Sequence, residues 1–132
     1  MKRYVEEPGT RTVRRLLAGG AAATSRLSEV EVASALARRC REGTLLRRAR
    51  DRALAALRAE IAAMWVVELM PEVAQASVAL LVRHPLRTGD GVQLASCLYL
   101  KLQLAEHVSL LAYAARLNEA ARAEGMPLLG RA

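Results

Sequence analysis

A chain of 132 residues, 53% apolar and 25% charged, is one domain by length and large enough to bury a real hydrophobic core, and no low-complexity tract argues for disorder. Twenty lysines and arginines against 13 acids give a formal charge of +7, which favours a polyanionic partner. Aromatic residues are only 3% with no Phe, which argues against holding nucleic acid by stacking bases on aromatic platforms.

Nearly all the cations are arginine, with lysine only at Lys2 and Lys101. The guanidinium fork suits phosphate. A GC-rich genome encodes the same bias, so the charge supports a polyanionic partner without establishing one. The charged start of the chain has no apolar signal stretch, and apolar runs such as residues 61–67 are too short to cross a bilayer. The expectation is a cytoplasmic protein with no membrane attachment. Cys40 and Cys97 match no metal-ligand spacing and read as reduced, half-buried thiols on helices.

Pro8-Gly9-Thr10 breaks the stretch 2–7, and Thr10 can cap a short helix over 11–18 that Gly19-Gly20 stops. Residues 21–24 form a short extended candidate whose alanines are weak strand formers. Ser28-Glu29-Val30-Glu31 reads as a capping box that opens a helix ending near Gly43, with Val32, Ala35 and Leu36 on its apolar side. Thr44 is expected to cap a long basic helix to about Ala59. Its stripe is Leu46, Ala49, Ala53 and Leu57, with Arg47, Arg48, Arg50, Arg52 and Arg58 largely elsewhere and Asp51 as a surface charge partner.

Met64-Trp65-Val66-Val67-Glu68-Leu69 is the best strand, β-branched and aromatic and stopped before Pro71. A helix from Pro71 to about Arg83 follows, with proline in its first turn and Pro85 blocking continuation. Then come a helix over 90–104, a strand over 108–113, a short helix over 118–124 ended by Gly125, and an edge strand over 126–129. Strands alternating with helices imply an α/β fold with a parallel three-layer sheet, in one domain spanning 1–132.

Two acids stand where chemistry could be carried. Asp90, one of only two aspartates, lies in Leu86-Arg-Thr-Gly-Asp-Gly-Val-Gln-Leu-Ala95 at the mouth of a helix. Glu31 lies in Thr24-Ser-Arg-Leu-Ser-Glu-Val-Glu-Val-Ala-Ser-Ala-Leu36, one turn after an expected strand. Each also has a plain structural reading: Ser28 and Glu31 as a capping box, and Asp90 with Gln93 as another helix cap. His84 and His107 fit turn or surface positions, and no nucleotide-binding glycine loop or nucleophile motif is present.

The first of these segments resembles the "LRxxDaxxLA" signature of PIN-domain nucleases, especially the VapC-type toxins of bacterial toxin–antitoxin pairs. The second resembles that family's "TSxLSxxEvxsAL" element. A third stretch, Leu110-Leu-Ala-Tyr-Ala-Ala-Arg-Leu-Asn-Glu-Ala120, resembles "vtfDxrLneAA", with Ala114 where the family has aspartate. The resemblance implies a PIN-like domain whose carboxylates hold Mg²⁺ or Mn²⁺ to activate water against RNA, at the carboxyl ends of parallel strands.

Here Glu31 and Asp90 are the expected metal ligands and catalytic acids. The family's first acid belongs to a strand preceding Lys2, and the last is replaced by Ala114, with Glu119 on a helix face and no substitute. The resemblance therefore implies weak metal binding and impaired activity, a small antitoxin partner and a homodimer. The alternative is a catalytically dead relative that binds RNA or an antitoxin. Without its first, central strand the sheet should leave neighbouring strands unpaired, at about 1–3 kcal/mol per buried group, an incentive to rearrange, borrow a strand or dimerise. An unrelated basic helical binder fits the charge but not the order of the three segments.

Overall fold

The computed structural model describes residues 23–104, 115–126 and 128. The expectations for residues 2–7, 11–18, 21–22 and 108–113, and for His107 and Ala114, lie outside them. The fold is α/β, mostly helical with a small parallel sheet. Its strands are β1, Ala23–Ser25, and β2, Trp65–Val67; its helices are α1, Arg26–Arg41, α2, Arg47–Ala63, α3, Pro71–Arg83, α4, Thr88–Leu104, and α5, Ala115–Ala123. The chain divides into two compact units, Met1–Thr24 with Ser28–Val66, and Ser25–Leu27 with Val67–Ala132.

In the second unit α3 packs along α4, and α4 meets α5. Val73, Ser77 and Leu80, spaced by four and three, are the buried stripe of α3. Val73 and Leu80 join Val67, Leu94, Ala95, Leu117, Ala120, Ala121 and Met126 in one core whose fully buried members carry no aromatic ring, with the half-buried Tyr99 packed against it. The buried hydroxyls cost little, because Ser77 Oγ donates to the Val73 carbonyl and Ser96 Oγ to the Val92 carbonyl, both at 2.7 Å within their own helices. Helix α3 runs between the two signals that the sequence supplies, with Pro71 in its first turn and His84, just before Pro85, as its C-cap.

In the first unit the buried positions among the described residues are Leu36 of α1 and Ala53 and Leu57 of α2. Helix α1 ends in a left-handed turn at Gly43, φ +79°, where the Gly43 N–H bonds the Cys40 carbonyl and the Thr44 N–H bonds the Arg39 carbonyl. Cys40 and Cys97 are both free and half-buried, as expected.

Several boundaries differ from the sequence expectation, among them the start of α5, at Ala115 rather than Asn118. Helix α1 starts at Arg26 rather than Ser28, because Ser25 Oγ accepts the Leu27 N–H at 3.1 Å and caps the helix three residues earlier. Thr44 does not cap α2: its hydroxyl turns back to the Arg39 carbonyl at 3.1 Å, and Leu46 takes the N-cap position with no side-chain capping bond. The alanine-rich end of α2 carries it to Ala63, so the following strand is trimmed to Trp65–Val67. Helix α4 opens at Thr88, which places Asp90 within its first turn.

Candidate active site

The two strands end alike. Ala23 and Trp65 are exposed, whereas Ser25 and Val67, the last residue of each strand, are buried. The residues that follow, Arg26 and Glu68, are joined across the carboxyl ends by a two-pronged ion pair. Arg26 Nε donates to Glu68 Oε1 at 2.9 Å and Nη2 to Oε2 at 2.7 Å. The hydrogen bond from Arg26 pulls the Glu68 carboxyl below its ordinary range. Sequence reasoning passed over this carboxylate. The signal available was its position, next to last in the expected strand 64–69, toward the edge where open α/β sheets bind ligands. Its arginine partner, 42 residues away, was not legible.

Asp90 projects from the first turn of α4, where an acid is favoured by the helix dipole, and is half-buried. Its carboxylate makes no hydrogen bond or ion pair with another described residue. The next residue, Gly91, is buried against α3: a Cβ there would lie 2.9 Å from Leu81 Cγ and Cδ2. This close approach seats the start of α4 on α3 and fixes the backbone that carries Asp90.

Glu31 stands on an exposed position of α1, in the first of the two units, whereas Asp90 belongs to the second. The earlier cap at Ser25 removes the capping-box explanation for Glu31, since Ser28 and Glu31 both lie inside the helix. Among the described residues no three His, Cys, Asp or Glu side chains come together as a metal-binding group. Glu119 is exposed on α5, as expected of a solvated helix face.

A second charged cluster was also missed. Glu124, just past α5, accepts Arg83 Nε and Nη2 at 3.1 Å each, and its Oε2 lies 2.8 Å from His84 Nε2. The hydrogen bond with His84, then those with Arg83, hold the Glu124 carboxyl below its ordinary range. Lys101 Nζ donates to the neighbouring Gly125 carbonyl at 3.3 Å. This cluster ties the end of α5 to α3 and α4 and is structural in character.

The described residues define an α/β fold with a small parallel sheet, and α4 carries an acid in its first turn. The sequence matches the PIN domain over residues 4–109, four-fifths of the chain, and the protein belongs to that family. PIN domains are in general divalent-metal-dependent nucleases that act on RNA or DNA. The match includes Glu31 and Asp90 and stops short of Ala114. No curated protein matches the chain. Among the described residues no helix is long and apolar enough to cross a membrane.

Proposed function

We propose that residues 1–132 form one PIN-like domain and act as a ribonuclease of the VapC toxin type, with impaired activity. The observation that carries this reading is Asp90, a half-buried carboxylate seated by the Gly91–Leu81 contact within a segment matched to the family. Glu31 is the second acid. In this reading Mg²⁺ or Mn²⁺ binds weakly, because such hard ions rely on several well-placed anionic oxygens. The described side chains do not by themselves make a three-ligand group, so no hydrolytic step is routed through the ion. The partners implied are RNA, a small antitoxin and a second copy of the chain, in the cytoplasm.

The dead-module alternative is favoured by one observation, the alanine at position 114. One assay separates the readings: cleavage of a mixed RNA pool with Mn²⁺ or Mg²⁺, for the native chain, Asp90→Ala and Ala114→Asp. Weak cleavage that both EDTA and Asp90→Ala abolish, and that Ala114→Asp raises by about tenfold or more, supports an intact scaffold short of one ligand. Cleavage untouched by Asp90→Ala would sink the assignment of Asp90. No cleavage by any variant, with RNA still bound, would establish the dead module instead.

A further inference from the structure

Charge is spread unevenly along this chain. Residues 38–58 hold eight arginines against two acids, Glu42 and Asp51, while the rest holds twelve cations against eleven acids. Nearly the whole excess of +7 therefore sits on the end of α1, the turn after it and the first three turns of α2, all within one compact unit. Among the described residues only Arg50 of this group meets a carboxylate, that of Asp51 at 2.9 Å.

Stability of the helices explains only part of this. Arg38, Arg39 and Arg41 occupy the last turn of α1, where the helix dipole favours cations. Helix α2 does the reverse. It opens with Arg47 and Arg48, has no acid in its first turn, and starts from Leu46 with no side-chain cap. Arg48 and Arg52, four residues apart and both exposed, add a like-charge pair on one face. Local rules broken without compensation are the mark of a surface kept for function.

The character of that surface selects its partner. Between the arginines the exposed face of α2 offers Ala55, Ala56 and Ala59. Leu46 at its N-cap, expected on the apolar stripe, is instead 79% exposed, but a single leucine is not the cluster of large side chains that anchors protein interfaces. A charged backbone needs no such anchor and gains from the close approach that alanines allow. Arg47 and Arg58 lie about 16 Å apart along the helix axis, a span that covers several phosphates. We propose that the α1–α2 corner is a sequence-independent grip on the phosphate backbone of RNA, centred on Arg47, Arg48, Arg52 and Arg58. It operates without divalent metal and so holds whether or not the chain cleaves RNA.

The test is binding of a fluorescently labelled oligouridine in EDTA, by anisotropy, across a salt series. Arg47→Gln/Arg48→Gln/Arg52→Gln should bind at least about tenfold more weakly and flatten the slope of log K against log salt by about 2, three phosphate contacts' worth. The control Arg116→Gln/Arg122→Gln, two exposed arginines of α5, should stay within about twofold of the native chain; circular dichroism checks that both variants fold. Equal losses in both variants would reduce the effect to net charge and overturn the proposal. Displacement of the RNA by polyglutamate at equal charge would overturn it in favour of an acidic protein partner. Failure of the cleavage assay leaves this result untouched, because no metal is present.

Discussion

Helices α1 and α5 end in the same backbone device, and their surroundings differ completely. At Gly125, φ +79°, the Gly125 N–H bonds the Arg122 carbonyl and the Met126 N–H bonds the Ala121 carbonyl, which repeats the pattern at Gly43. Around Gly125 the turn is gripped from two other helices, by Arg83 and His84 through Glu124 and by Lys101 through the Gly125 carbonyl. Around Gly43 the hydroxyl of Thr44 bonds back to α1, and arginines point to solvent. The same turn thus serves as a packed joint in one region and as an open basic corner in the other. Glycine specifies the turn, and only the neighbouring charges specify its use.

The two cysteines offer the largest measurable contrast between these regions. Cys97 sits in the packed unit with its Sγ 3.7 Å from Met126 Sδ, and burial pushes its thiol up to about 11. At pH 8 such a thiol carries roughly 100-fold less thiolate than one of ordinary pKa. Alkylation by iodoacetamide, followed by peptide mass spectrometry, should therefore label Cys40 well before Cys97. Labelling of Cys97 at the same rate would show that the joint at Met126 opens readily.

Next in size is the clamp on Glu124. Glu124→Gln should cost about 1–2 kcal/mol in urea unfolding at neutral pH, because it removes charge-assisted bonds from a carboxylate mostly shielded from solvent. The pH dependence has a fixed sign. The folded-state pKa of Glu124 is lowered, so its contribution is complete above the ordinary carboxylate pKa of 4.5 and is lost as pH falls through the lower folded value. The gap between native chain and variant should thus close only in acid. A gap that is constant with pH would mean that the carboxylate charge plays no part in holding α5.

What the sequence reveals follows the range of the interactions involved. Helix α3 was legible to the residue because Pro71 and Pro85 act within a single turn. The ends at Gly43 and Gly125 were legible for the same reason. The start of α1 was missed because Ser25 and Ser28 are both good caps, and only the end of β1 decides between them. The site was legible only in part. Asp90 could be singled out by its segment, whereas the Arg26–Glu68 pair and the Glu124 cluster join residues 40 or more apart, which no local pattern encodes.

The smallest predicted effect bears on the open corner. Thr44 Oγ1 and Thr44 N–H both donate to the Arg39 carbonyl, at 3.1 and 3.0 Å, so the backbone bond survives when the hydroxyl is removed. Thr44→Val should cost no more than about 0.5–1 kcal/mol, since the site is exposed and water can replace the lost donor. RNA binding should be unchanged, because the turn keeps its glycine and every arginine keeps its place. If Thr44→Val instead weakened binding as much as the loss of Arg47, Arg48 and Arg52, the corner would owe its affinity to a rigid turn geometry. The open end of α1 would then resemble the clamped end of α5 more than their surroundings suggest.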